Sequence, residues 1–282
     1  MPVSKPKHTV ARVVTVIVLL VTGLYLVCLI GLTLGQRKLI YYPCSTTFAE
    51  AEPEAAKIWF RPWLGTNGQP IGWVRSSTRG QATSAILLTH GNAGCAFGWF
   101  HFADGFQAVE PADFYILEYP GYGGRPGAPS EKSILAAADE AFNSIEQTCS
   151  VFLVGESIGT GPACYLAGKH NERIGGVFLV APYNNLASAA QAHLPLFPVK
   201  WMLKDRYPSD EWLRNYRGPL AVLLAEKDTV VPSELGQKLY GGYEGRKKLW
   251  IEPSATHDDV NQPRAEIYRE VVKFWETASD GK

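Results

Sequence analysis

What this sequence lacks narrows it before any motif is read. Its 282 residues carry 27 Lys+Arg against 27 Asp+Glu, so no net charge draws it to nucleic acid. No basic stripe or nucleic-acid-binding motif is present either. There is no internal repeat and no low-complexity run. Cysteine is scarce: of five, Cys28 lies inside an apolar run, and Cys44, Cys95, Cys149 and Cys164 have no metal-ligand spacing. Neither a metal site nor a disulfide framework is therefore expected. Most cysteines read as buried thiols, with one oxidised pair open and not assignable. With 46% hydrophobic residues, 27 Gly and 19 Pro, the chain suits a single loop-rich α/β core.

Charge is also missing from residues 13–34, where Val, Leu and Ile dominate. At 1.5 Å per residue this run matches the roughly 30 Å hydrocarbon core of a bilayer. It predicts a transmembrane anchor at 13–34 inside an N-terminal segment 1–36, followed by a catalytic domain at 37–282. A cleaved signal peptide is the rival, with Lys5, Lys7 and Arg12 as its basic region and Thr33-Leu34-Gly35 as its cleavage site. The run exceeds a usual signal core, however, and no Ala-x-Ala follows it. Lys5, Lys7, Arg12 and the terminal amine precede the span, while Arg37 and Lys38 follow. The positive-inside rule then favours a catalytic domain outside the cytosol, in a periplasm, lumen or extracellular space.

Beyond the anchor, residues 38–43 read as an edge strand ended by Pro43. Segments 57–64 and 71–76 form a hairpin around Asn67-Gly68. Short runs at 85–89, 114–118, 151–154, 175–181, 220–225 and 248–252 read as strands, the first three of them buried. Helical stretches separate them, at 97–109, from Ser130 to about 147, and at 265–278. Alternating strands and helices predict a mostly parallel sheet covered on both faces, with ligands at the carboxyl ends of its strands.

The most informative stretch is Gly-Glu-Ser-Ile-Gly at 155–159, directly after a strand and before a small-residue helix at 161–167. A serine there sits at a tight strand-to-helix turn, and Gly155 and Gly159 let neighbouring backbone pass close. Ser157 is thus the candidate nucleophile, and the Ile158 amide a candidate oxyanion donor. A serine needs a base, and the base needs an acid to orient it. His257, just after the last strand, is the best placed of six histidines. Asp228, in the loop after 220–225, supplies the acid. The second oxyanion amide belongs in the His-Gly-Asn-Ala-Gly loop at 90–94, with Asn92 first and Ala93 second.

Further sequence elements complete a family pattern: Lys-Leu-Ile-Tyr-Tyr-Pro at 38–43, Tyr-Pro-Gly-Tyr-Gly at 119–123, Pro129-Ser130-Glu131, Val231-Pro232 and His257-Asp258. Together these resemble the membrane-anchored α/β-hydrolases of the Bem46 and ABHD12/13/17-like group, also labelled serine aminopeptidase-like (S33). Two positions depart from the pattern: Thr256 replaces a glycine before the histidine, and Gly124-Arg125 replaces a small-polar pair. The resemblance implies an α/β-hydrolase fold with a short cap. It also implies hydrolysis of ester, thioester or related acyl bonds without metal or organic cofactor.

The leading expectation is a serine acyl hydrolase acting on a small or lipid-like acyl substrate. A cap insert at 183–216 breaks the alternation, and its Leu196, Phe197, Trp201 and Met202 are expected to wall an apolar acyl pocket over Ser157. A peptidase is the alternative, using Asp205, Asp210 or Glu211 for a free amine. A non-catalytic membrane-tethered binding module is the third reading.

Overall fold

The computed structural model describes residues 7–82, 84–147 and 149–279; Lys5, one of the basic residues ahead of the span, lies outside them. Eight strands form one sheet: β1 (Arg61–Leu64), β2 (Pro70–Arg75), β3 (Ser84–Thr89), β4 (Ala112–Leu117), β5 (Ser150–Glu156), β6 (Ile174–Val180), β7 (Leu220–Ala225) and β8 (Lys247–Glu252). Their order is β1-β2-β4-β3-β5-β6-β7-β8. From β4 to β8 every pairing is parallel, whereas β1 and β2 form an antiparallel edge. The edge hairpin turns at Asn67-Gly68 as its sequence requires. Gly68 takes a φ of 75°, and Asn67 Oδ1 accepts from the Gln69 amide.

Period-two alternation sends the two sets of strand side chains to opposite faces. Leu87, Leu153, Val177 and Val222 lie in the core on one face. Ile86, Leu88, Val154, Phe178 and Leu223 lie in the core on the other. Helices cover both. In chain order they are α1 (Lys7–Ile40), α2 (Phe48–Lys57), α3 (Phe100–Gln107), α4 (Glu131–Ser144), α5 (Thr160–Lys169), α6 (Leu186–His193), α7 (Val199–Met202), α8 (Ser209–Trp212), α9 (Ser233–Gly242), α10 (His257–Val260) and α11 (Ala265–Ser279). Residues of α4, α5 and α9 pack on the first face, and residues of α3 and α11 on the second.

Three segments differ from the sequence expectation. Residues 38–40 are not strand but the last turn of α1, which runs unbroken to Ile40 and ends ahead of Pro43. Adding residues to an existing helix costs little, and only Pro43, which disfavours helix at the residue before it, stops the run. Pro43 keeps a single bridge, to Gly94. Helix α2 was not foreseen, although Thr47 and Glu50 form a reciprocal capping box at its start. The helix predicted over 97–109 instead opens with a 3-10 turn at Ala96–Trp99 and narrows to α3. Ser130 does cap α4, its side chain accepting from the Ser133 amide, but the helix stops at Ser144.

α1 carries no charge between Arg12 and Arg37, and its most apolar stretch is bare of protein. It is long enough to cross a bilayer. One cysteine pair is oxidised: Cys44 and Cys95 form a disulfide with Cα atoms 5.5 Å apart. It joins the chain leaving α1 to the loop after β3.

At the far end of the sheet, Trp275 of α11 is buried with its ring stacked on Phe152 (4.6 Å) and Phe106 (5.6 Å). Its indole N–H has no hydrogen-bond partner. We expect Trp275→Ala to cost about 3–5 kcal/mol of stability and Trp275→Phe well under half of that, measured by urea unfolding of the detergent-solubilised protein. A loss below about 1 kcal/mol for the alanine variant would contradict the packing described.

Candidate active site

β5 runs into the sheet's carboxyl edge and stops at Glu156. The chain then turns through Ser157–Gly159 into α5. Ser157 is held at a φ of 51°, a left-handed conformation that costs a non-glycine residue energy and persists only where its surroundings impose it. They do so here by crowding. A Cβ on Gly159 would lie 2.0 Å from the Thr89 carbonyl oxygen, and one on Gly155 would lie 2.8 Å from the Gly159 oxygen. The turn's three carbonyls are each bound. Thr160 Oγ1 donates to Ser157 O (2.7 Å), Tyr183 OH to Ile158 O (3.0 Å) and Thr89 Oγ1 to Gly159 O (2.7 Å).

The three side chains read from sequence meet at this turn. His257 Nε2 lies 3.0 Å from Ser157 Oγ, and His257 Nδ1 lies 2.7 Å from Asp228 Oδ2. With Nδ1 protonated towards the carboxylate, Nε2 is the free lone pair that can take the serine proton. Asp228 is itself fixed, because its Oδ1 accepts from the amides of Val230 and Val231. Thr256, where the family pattern has glycine, caps α10 jointly with Asp259 and so sets the helix that begins at His257. Arg125, the other departure, braces the tyrosine loop by donating to Glu118 O and Glu140.

His90, His101, His170 and His193 have other partners. His101 binds Asn261 O, His170 binds Asp139 and His193 binds Val230 O. His90 is fully buried, with Nε2 3.2 Å from Glu118 and its ring stacked on Tyr119. Glu118 also accepts from the Ala96 amide, which pins both ends of the 90–96 loop.

Sequence reading passed over Glu156, the residue before the nucleophile. It is buried, accepts from Trp99 Nε1 (3.2 Å) and lies 3.9 Å from His257 Nε2. Burial raises its pKa to about 7, against the pull of His257, Trp99 and His90. Burial also pulls His257 down, but its hydrogen bond and charge interaction with Asp228, with Glu156 behind them, outweigh that and leave its pKa raised. A charged residue at the end of an otherwise apolar strand was the available signal.

The Asn92 side chain is not aimed at the serine. Its Oδ1 accepts from Tyr42 N and Tyr122 OH, and its Nδ2 donates to Ile40 O. Only its backbone N–H is left for an oxyanion role, beside that of Ile158.

The four apolar cap residues do not form one wall. Leu196 and Trp201 are 81% and 86% exposed, Phe197 stacks on Tyr25 of α1, and Met202 lines a cavity between α1 and the cap. The cap's apolar residues are shared with the anchor helix, because α1 continues past the span and offers them an apolar face. Among the described residues no group of His, Cys, Asp and Glu is placed to hold a metal ion.

Residues 84–211 match the family model for the alpha/beta hydrolase fold. The chain is 28% identical over 232 residues to an uncharacterized protein of Mycobacterium tuberculosis, covering 79% of this chain and 81% of that one. It is 29% identical to lysophosphatidylserine lipase ABHD12 of Danio rerio over 201 residues (63% of this chain, 52% of the lipase) and of Mus musculus over 199 (63% and 50%). It thus spans about half the length of those lipases. Two solved esterases share the fold. Est1E from Butyrivibrio proteoclasticus has a TM-score of 0.60 at 14% identity (73% of this chain, 95% of that one). The Pyrococcus furiosus esterase Pf2001 has 0.62 at 12% identity (84% and 99%). By sheet order, serine turn and these likenesses, the chain has the α/β-hydrolase fold and is a hydrolase, similar in sequence to the ABHD12 lipases.

Proposed function

We propose that this hydrolase cleaves carboxylic esters, thioesters or related acyl bonds of lipid-like substrates through an acyl-enzyme on Ser157, at the surface of a membrane that α1 spans. The carrying observation is the unbroken chain from Ser157 Oγ through His257 to Asp228, at 3.0 and 2.7 Å. His257 takes the serine proton as Oγ attacks the acyl carbonyl, and Asp228 stabilises the imidazolium. The amides of Ile158 and Asn92 hold the oxyanion; one such donor is typically worth about 10²–10³ in rate. The imidazolium returns its proton to the leaving group. Water, deprotonated by His257, then releases the acid and restores the serine.

A lipid-like substrate fits the anchor, the exposed Leu196 and Trp201, and the lipase activity for which the ABHD12 relatives are named. The Cys44–Cys95 disulfide favours an oxidising compartment, which agrees with a catalytic domain outside the cytosol. The peptidase reading loses its anionic subsite. Asp205 is buried and held by both Arg37 nitrogens and by Tyr41. Asp210 accepts from Asn184, and Asp210 and Glu211 border a depression that Arg206, Arg214 and Lys238 also line. A free α-amine would meet a spent carboxylate or a crowd of cations.

Ser157→Ala should abolish labelling by an active-site fluorophosphonate and reduce p-nitrophenyl octanoate turnover to background, with Asp228→Asn losing about 10⁴ in kcat. Labelling that persists at another serine would refute the assignment.

The pH profile tests the base. Because His257 acts neutral and its pKa lies above its usual 6.5, kcat/KM should rise with pH through a midpoint above that value. Glu156→Gln removes a partly ionised neighbour that favours the imidazolium, so its midpoint should move to lower pH. An unmoved or higher midpoint would show that Glu156 does not act on His257.

A further inference from the structure

Where α1 leaves the apolar run and meets the cap, a cavity of about 240 Å³ opens. Leu32, Leu39 and Ile40 of α1 form one side, and Leu194, Met202 and Leu203 of the cap the other. Gln36 and His193 bring the polar groups to its lining, and both are engaged elsewhere. Gln36 Nε2 donates to Thr33 O and Met202 O while its Oε1 accepts from Lys204 N, and His193 Nε2 donates to Val230 O. What remains to meet an occupant is hydrocarbon.

Two of those lining residues reach the catalytic machinery. Ile40 O accepts from Asn92 Nδ2, in the loop that offers the second oxyanion amide. Val230, to which His193 is bonded, is held by Asp228 Oδ1 through its own amide. The cavity therefore lies on the carboxyl edge of the sheet, between the loop of Asn92 and the loop of Asp228.

The other side of the cavity faces the membrane segment. Tyr25 precedes Arg37 by twelve positions (25 to 37), about 18 Å along a helix that rises 1.5 Å per residue. Yet Tyr25 OH donates to Leu196 O at 3.0 Å, and its ring stacks on Phe197 at 5.4 Å. The tip of the cap thus reaches back along the span, carrying exposed Leu196 to the depth of the lipid. Arg37, paired with both oxygens of Asp205, fixes the cap to α1 at the polar end of the same contact.

Resting on the acyl-hydrolase reading above, we propose that this cavity receives the acyl chain of a membrane lipid ester, which enters sideways from the bilayer and brings its ester carbonyl to Ser157. An apolar cavity of about 150 Å³ holds benzene, so 240 Å³ admits roughly ten chain carbons. The substrate class is then a lipid whose cleaved bond lies at the membrane surface, with a cleaved acyl chain of medium length or longer.

The test uses the full chain in phosphatidylcholine vesicles and a dodecyl fluorophosphonate with a diazirine on its terminal carbon. Ser157 Oγ attacks phosphorus, fluoride leaves and the serine proton passes to His257; light then joins the chain end to its surroundings. Crosslinks should fall on peptides containing residues 32–40 or 190–203. A Ser157 adduct whose chain end joins any other peptide, or lipid, overturns the cavity assignment and leaves the hydrolase reading standing. No adduct at Ser157 overturns the hydrolase reading itself. In a second arm, tryptophan at Ala190, which also lines the cavity, fills it, and Ala190→Trp should lower the ratio of kcat/KM for p-nitrophenyl decanoate over butyrate at least tenfold. An unchanged ratio in a variant that still accepts the phosphonate also overturns the assignment.

Discussion

The near-contact between the Gly159 backbone and the end of β3 is the constraint on which the site depends. It leaves no room for a Cβ beside the Thr89 and His90 carbonyls, and so forces the chain from β5 into α5 through one tight turn. Ser157 takes its left-handed backbone there because no wider turn fits. The carbonyls of the turn are consumed by Thr89, Thr160 and Tyr183, which leaves the serine hydroxyl and the following amide as its chemically free groups. β7 and β8 lie further along the same sheet, and the loops at their carboxyl ends bring Asp228 and His257 to that hydroxyl. Geometry built this way is paid for by core packing rather than assembled on substrate binding.

The anchor and the catalytic unit are joined by more than a linker. Arg37 and Tyr41 bind Asp205, Gln36 spans to the backbone of 202 and 204, and Tyr25 holds the cap tip. On the other flank, Asn92 clamps the Ile40 and Tyr42 backbone, and the Cys44–Cys95 disulfide closes the same junction covalently. One helix therefore sets the position of the cap on one side and of the 90–94 loop on the other. The orientation of the active site relative to α1 is correspondingly fixed.

Much of this was legible in the residues. Ser157, Asp228 and His257 stand out because each directly follows a strand of a parallel sheet, and strand ends on one edge must converge. The buried strands were visible as short β-branched runs. The end of α1 was not, because Leu39-Ile40-Tyr41-Tyr42 satisfies a strand pattern as well as a helix pattern, and only continuity with the preceding helix decides between them. The cap was half legible: the apolar character of Leu196, Phe197, Trp201 and Met202 is plain in sequence, but whether they face Ser157 or α1 depends on a helix residue 171 positions away from Leu196, Tyr25. The disulfide was hidden for the same reason, since Cys44 and Cys95 are 51 residues apart and meet only once α1 docks. Glu156 was overlooked because the second position of the Gly-x-Ser-x-Gly pentapeptide tolerates any residue. Its meaning comes from burial next to His257.

The most direct measurement is mass spectrometry of the protein acid-quenched within milliseconds of mixing with p-nitrophenyl octanoate. An octanoyl group should be found on the peptide that contains Ser157, together with a burst of one p-nitrophenol per enzyme wherever deacylation is the slower step. Steady turnover with no acyl adduct at any time of quench, or an adduct on a residue other than Ser157, would contradict the account.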